Sequence, residues 1–250
     1  YKNQNATALC SEFLFDNTTL TWIELPNVEK ISYSMLANNK DLRYINLPNV
    51  KEIGNNFLYS NEKIIDVKLP NVKEIGNNFL YNSVNLKYLS LPLVKSIGDN
   101  FLKRNRYLTV LEADELKDVG IRFLFFNKDL TCLNLPKLKE ANSGFLYSNR
   151  KIKYVNLPNL KSIQHNFLYS NEEIVNLYLP KLTEVLSGFL DNNTKLKKMY
   201  LPNVCYFGDV DLYTVNKIKL YAPKLEESNR DYLTFDYKII ETLPDSEIEL

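Results

Sequence analysis

"LPNVKEIGNNFLY" runs from Leu47 to Tyr59 and recurs, letter for letter, from Leu69 to Tyr81, 22 residues later. Working outward, between Leu25 and Leu201 Leu-Pro stands at 25, 47, 69, 91, 135, 157, 179 and 201, so every interval there is 22 residues or twice that. The missing member falls on Ala113-Asp114, a degenerate copy. With the Leu of Leu-Pro as position 1, position 4 is Val or Leu from Val28 to Val204. Position 7 is apolar from Ile31 to Phe207. Position 11 is Phe and position 12 is Leu in seven consecutive copies, from Phe57-Leu58 to Phe189-Leu190. Positions 18 and 21 are aliphatic in each copy, Met199 included.

One such unit cannot bury its own apolar side chains, whereas stacked units bury them as continuous columns. The period therefore predicts a repeat solenoid. Positions 18, 21 and 1, as in Leu86, Leu89 and Leu91, have the spacing of a short parallel β-strand that ends before Pro. A second short extended piece is expected at positions 4 to 7, as in "VKEI". Gly at position 8 (Gly54, Gly76, Gly98, Gly120, Gly208) is expected to punctuate a corner. Positions 9 to 14 are expected to form a tight turn or a 3₁₀-like piece that carries the Phe-Leu pair inward.

The stretch "LKYLSLPLVKSIGDNFLKRNRYL", Leu86 to Leu108, resembles the leucine-rich repeat of bacterial and protozoan surface proteins, the BspA or Treponema type. It matches that unit's Leu/Ile, Pro, Ile-Gly and aromatic points. This repeat is one residue shorter, at 22, and carries Asn where the family has a small Cys. The resemblance implies a right-handed leucine-rich-repeat coil over residues 1–250, a single domain of about eleven repeats with partial ends. Residues 228–250 read as a degenerate repeat or a C-terminal cap. "SEFLFDNTTLTWIEL", from Ser11, is already a repeat, so the chain reads as part of a longer protein.

Position 15 is a column of Asn17, Asn39, Asn61, Asn105, Asn127, Asn149, Asn171 and Asn193, with Ser83 as substitute. A turn strands backbone N–H and C=O groups, and an inward Asn offers both a donor and an acceptor to bridge coils. Position 5 is a Lys column, from Lys51 and Lys73 through Lys161, with acids such as Glu74 and Asp118 beside it. That alternation reads as a solvated outer face. The acids argue against a stripe for polyanions or anionic lipid.

Composition narrows the chemistry. Lys and Arg number 31 against 30 Asp and Glu, so no whole-chain field attracts nucleic acid or an anionic membrane. No apolar run is long enough to span a bilayer as a helix. The single His, His165, stands at an expected exposed corner, which leaves no His cluster for a metal and no base for Cys10, Cys132 or Cys205. Cys132 and Cys205 fall in separate coils roughly 20 Å apart at strand spacing, too far for a disulfide. No Gly-rich phosphate loop or hydrolase motif occurs. No catalytic residue, metal or cofactor is expected.

The remaining candidate surface is the strand face. Positions 20 and 22 flank inward position 21 and should point outward. They place Trp22, Tyr44, Tyr88, Tyr154, Tyr178 and Tyr200 there. Aromatics suit sheets by propensity alone, but they also supply the stiff, amphipathic area that interface hot spots use. The expectation is a binding or adhesion module of a bacterial surface or secreted protein, taking a host protein or glycan through this face as a monomer. The alternatives are the recognition part of an exported effector and an architectural spacer.

Overall fold

In the computed structural model the described residues are 1–208, 210, 212, 217–230, 233 and 237–240. Each coil contributes a three-residue strand and, after the Pro corner, a two-residue strand. In chain order these pairs are β1 (Trp22–Glu24) with β2 (Lys30–Ile31), and β3 (Tyr44–Asn46) with β4 (Glu52–Ile53). Next come β5 (Asp66–Lys68) with β6 (Glu74–Ile75), and β7 (Tyr88–Ser90) with β8 (Ser96–Ile97). β9 (Val110–Glu112) and β10 (Asp118–Val119) belong to the degenerate copy, followed by β11 (Cys132–Asn134) with β12 (Glu140–Ala141). The series continues through β13 (Tyr154–Asn156) with β14 (Ser162–Ile163), and β15 (Asn176–Tyr178) with β16 (Glu184–Val185). It ends with β17 (Lys198–Tyr200), β18 (Tyr206–Phe207), β19 (Ile218–Tyr221), the one-turn helix α1 (Glu227–Arg230) and β20 (Tyr237–Ile239).

Strands pair in parallel with the equivalent strand one coil away, in a 22-residue register such as Trp22↔Tyr44 and Ile53↔Ile75. The register tightens after Leu201: Lys198 opposes Lys219, and Ile218 opposes Tyr237. The start of the expected degenerate C-terminal repeat thus joins the strand face as β20. Residues 241–250 lie outside the described residues.

The apolar columns are the core. Position 1 from Leu25 to Leu201, position 4 from Val28 to Val204 and the Phe-Leu pairs are all closed to solvent, and Ala113 takes the Leu place in its copy. The Phe rings form one continuous stack. Phe79–Phe101, Phe101–Phe123 and Phe123–Phe145 have centroids 5.3–5.4 Å apart and planes within 13° of parallel. Coil spacing sets that distance, and it falls in the favourable range for offset aromatic pairs. Phe13 and Leu14, in the first coil, are only half-buried.

The arc at positions 9 to 14 is a run of turns. Among the described residues none is in a 3₁₀ helix. Backbone φ turns positive at alternate residues, for example Asn56 (59°), Leu58 (58°) and Ser60 (53°), and a 3₁₀ helix needs every φ negative. The alternation aims successive N–H groups at opposite neighbours. Asn56 donates forward to the Asn77 carbonyl at 2.8 Å, Leu58 backward to Met35 at 3.3 Å, and Ser60 forward to Tyr81 at 2.8 Å. A left-handed Leu costs about 1–2 kcal/mol in isolation. Here the inter-coil bond and the buried Leu side chain offset that cost. Gly144 and Gly188 occupy the first of these positive-φ places.

The position-8 glycines answer a different need. A Cβ on Gly98 would stand 2.8 Å from the Gly76 carbonyl carbon, and one on Gly120 would stand 2.5 Å from that of Gly98. At these coils successive backbones approach too closely for a side chain, whereas Ser32, Asn142, Gln164 and Leu186 hold the same position elsewhere.

Candidate functional site

The Asn column turns inward as expected. Nδ2 of Asn61, Asn105, Asn127, Asn149 and Asn171 donates to the position-12 carbonyl of the preceding coil at 2.6–3.0 Å. Ser83 donates its hydroxyl to Leu58 at 3.1 Å. The bridging acceptor role is narrower. Asn149 Oδ1 accepts from Asn127 N–H and Asn171 Oδ1 from Asn149 N–H, while Oδ1 of Asn39, Asn61 and Asn105 has no partner. Asn17 is half-buried and instead closes a local turn, accepting from Leu20 N–H at 2.8 Å. The column is a structural spine.

On the outer face Lys51 pairs with Glu29 at 2.8 Å, in its own column one coil back. The same 22-residue offset joins Lys63–Asp41, Lys137–Glu115 and Lys151–Asp129. Lys73, Lys95 and Lys117 are exposed and make no ion pair; the acids beside them stay unbonded to them. Cys10, Cys132 and Cys205 are exposed and outside any disulfide. His165 is exposed, and its Nδ1 lies 2.7 Å from Ser187 Oγ. Among the described residues no third group holds its other ring nitrogen, as a nucleophile–base pair requires. Among the described residues no group of three or more His, Cys, Asp or Glu could hold a metal ion. No helix there is long and apolar enough to cross a membrane.

The strand face carries the aromatics. Trp22, Tyr44, Tyr88 and Tyr154 are exposed, Tyr154 most of all at 65%. Tyr88 is held in place: its hydroxyl donates to Glu112 on β9 at 2.6 Å. Accepting that bond, and a second from Ser90, holds the Glu112 carboxyl below the usual carboxylate range. The Tyr88 hydroxyl is pushed up, chiefly by Glu112. Tyr178 is half-buried. Tyr200 corrects the expectation of an outward ring, being only 5% exposed. It lies in register between Tyr178 and Tyr221 on an inner strand of the β15-β17-β19-β20 sheet.

The face is not one continuous ladder. It divides into β1-β3-β5, β7-β9, β11-β13 and β15-β17-β19-β20. At the break between β13 and β15 a cleft of about 810 Å³ opens. Tyr154, Tyr178, Tyr200, Asn134, Asn156 and Asn176 line it, with Lys153, Glu173 and Lys195 among its charged groups. Val155, at the cleft, is half-buried, whereas the central residues of β1, β3, β5, β7, β9, β11, β15 and β17 are fully buried. Glu173 pairs with Lys195 at 2.6 Å, which holds its carboxyl below the usual range. Asn156 Nδ2 donates to Asn134 Oδ1 at 2.8 Å.

Two further columns were missed by sequence reasoning, though both repeat with the period. Asn at position 3 donates to the preceding coil's Pro carbonyl, as Asn49 does to Pro26 and Asn71 to Pro48, each at 2.7 Å. Position 13 is an aromatic ladder. Tyr59–Tyr81, Phe125–Tyr147 and Tyr147–Tyr169 stack at 4.5–4.9 Å, and Lys103 Nζ bridges the interruption, 5.4 Å from Tyr81 and 5.2 Å from Phe125. Burial, then Arg122 and Arg104, hold the Lys103 ammonium below the ordinary lysine range.

Among solved structures, the fold is similar to a leucine-rich repeat protein of T. pallidum, with a TM-score of 0.60 at 18% identity over 66% of this chain and 81% of that one. A leucine-rich repeat protein from Bacteroides ovatus aligns with a TM-score of 0.45 at 18% identity, over 91% of this chain and 79% of that one. A leucine rich cell surface protein from Faecalibacterium prausnitzii aligns with a TM-score of 0.44 at 13% identity, over 80% and 82%. No curated protein matches. The family model of the BspA type leucine-rich repeat region matches residues 4–109 and 113–219. With that match, a 22-residue unit stacked in parallel and a T. pallidum repeat protein of like fold, the chain belongs to the BspA-type leucine-rich repeat family.

Proposed function

We propose that this chain is a non-enzymatic binding module of a bacterial cell-surface or secreted protein, and that it recognises its macromolecular partner through the strand face. The observation that carries this reading is the row of exposed aromatics, Trp22, Tyr44, Tyr88 and Tyr154, on one face of a stacked sheet. An enzyme of this size would concentrate convergent titratable groups, and the strand face concentrates rings and amides. Aromatic side chains lose little conformational entropy on binding and release much water; Lys must give up both flexibility and hydration. The location follows from kinship to bacterial surface repeats.

The test uses a partner captured by the immobilised chain. Tyr88→Ser with Tyr154→Ser should leave the denaturant midpoint nearly unchanged and weaken the partner by about 2 kcal/mol or more, the hot-spot scale. Lys73→Ser, Lys95→Ser and Lys117→Ser together should matter much less. Loss of binding in the Lys variant, with the Tyr variant intact, would transfer recognition to the charged face.

A further inference from the structure

Resting on the strand face as the recognition surface, we propose that the cleft between β13 and β15 binds a linear acidic oligosaccharide. The first support is a set of backbone groups that make no bond to the facing strand. In a parallel ladder successive residues address opposite neighbours. Asn156 accepts from Leu135 and Tyr154 donates to Thr131, both toward β11, so Val155 faces β15. On β15 the bond from Leu179 to the Tyr200 carbonyl runs forward to β17, so Asn176 and Tyr178 face back toward β13. No bond joins the two strands. The N–H and C=O groups of Val155, Asn176 and Tyr178 therefore point into the cleft as donors and acceptors that make no bond to the facing strand.

The second support is shape. A volume of about 810 Å³ is that of a small-ligand site. The lining runs across β11, β13, β15 and β17, along the solenoid axis and perpendicular to the strands. A peptide adding as a strand would instead lie parallel to β13, which offers three residues of edge, too few main-chain bonds for useful affinity. Along the axis the cleft presents Tyr154 and, one coil on, Tyr178, while the buried Tyr200 closes its far side. Tyr178 stands two residues further along its strand than Asn176, the equivalent of Tyr154, so the two rings are set diagonally and separate rings of one oligosaccharide can lay their apolar faces on them.

The third support is polar chemistry. Asn134 keeps its Nδ2 donors and Asn156 its Oδ1 acceptor after their mutual bond, and the Asn176 amide is unengaged. Sugar hydroxyls need such mixed partners. Glu173 and Lys195 neutralise each other, whereas the Lys153 ammonium makes no ion pair. The cleft thus carries one uncompensated positive charge, suited to a carboxylate or sulfate on the sugar.

Calorimetric titration with a hyaluronan hexasaccharide (carboxylates), a heparin-derived hexasaccharide (sulfates) and neutral cellohexaose, at about 150 mM salt, tests this. At least one acidic oligomer should bind the chain, and cellohexaose should bind the chain at least about tenfold more weakly. Tyr154→Ser with Tyr178→Ser should weaken the acidic oligomer by about tenfold or more. Lys153→Gln should erase the preference for acidic over neutral sugar; as an exposed single change it also serves if the double variant fails to fold. Silence from all three oligomers overturns the proposal. If the Tyr88/Tyr154 variant still loses its captured protein partner, the strand-face reading survives that silence. Binding unchanged in the cleft variants but lost on replacing Lys73, Lys95 and Lys117 overturns both.

Discussion

The ring of Phe101 stacks on that of Phe123, centroids 5.4 Å apart and planes 6° from parallel, and neither is reached by solvent. Each ring is held by its neighbours above and below, and the backbone ladders fix their spacing, so the column cannot close around a gap. Phe101→Ala should cost about 3–5 kcal/mol. Lys95→Ala, on the exposed column, should change stability by only a few tenths of a kcal/mol, about the scale of ordinary surface changes. Denaturant melts of the two variants check the inside–outside assignment, and equal shifts would refute it.

The outer aromatic ladder is interrupted at Lys103, which is partly buried between Tyr81 and Phe125. Lys103→Tyr should complete the stack and remove a desolvated charge, raising stability by about 0.5–1.5 kcal/mol. The native ammonium is depressed by burial, so the unfolded chain binds the extra proton as pH falls between the two values. Native stability should therefore rise with pH across that alkaline window, and the rise should vanish in the Tyr variant. Melts at paired pH values read both effects.

Arg122 has φ of 56°, and its counterpart one coil on is Gly144 with φ of 73°. Arg122→Gly should be neutral or slightly stabilising, because Gly relieves a left-handed side chain. Gly144→Val, the reverse exchange at the same repeat position, should destabilise by about 1–2 kcal/mol. Equal losses from both would contradict the alternating backbone of the arc.

Tyr88 and Glu112 make a titration pair on the strand face. The phenol is raised because ionising it would break a bond to a carboxylate, so Tyr88 should ionise above the ordinary value of about 10. Glu112→Gln should bring it down. Glu112 itself is depressed, so its bond is present at neutral pH and is lost as pH falls through its folded value. Ultraviolet difference titration of wild type and variant, with Tyr88→Phe to assign the signal, measures the shift.

The columns were legible because burial acts on residue type once per coil: Phe101, Leu102, Val94 and Ile97 each repeat a letter with one structural meaning. The Asn spine was legible for the same reason, as was the exposure of Tyr44, Tyr88 and Tyr154. Tyr200 was not, since it lies where the period shortens to 21 residues and the repeat no longer fixes which residues surround a given position. The cleft was not legible either. Val155 and Leu177 carry the same apolar character as their equivalents in paired strands, and a ladder break depends on how whole coils tilt. The left-handed arc lay behind ordinary letters, with Gly appearing in it only at 144 and 188.

Hydrogen exchange of the chain with and without its bound partner bears most directly on recognition by the strand face. The account predicts slowed exchange at 154–156 and 176–178, where Val155, Asn176 and Tyr178 have backbone N–H groups that make no bond to the facing strand, with smaller slowing at 44–46 and 88–90. Exchange at 73–75, 95–97 and 117–119, beside the Lys column, should stay unchanged. Slowing confined to those Lys-bearing segments, with 154–156 and 176–178 unaffected, would contradict it.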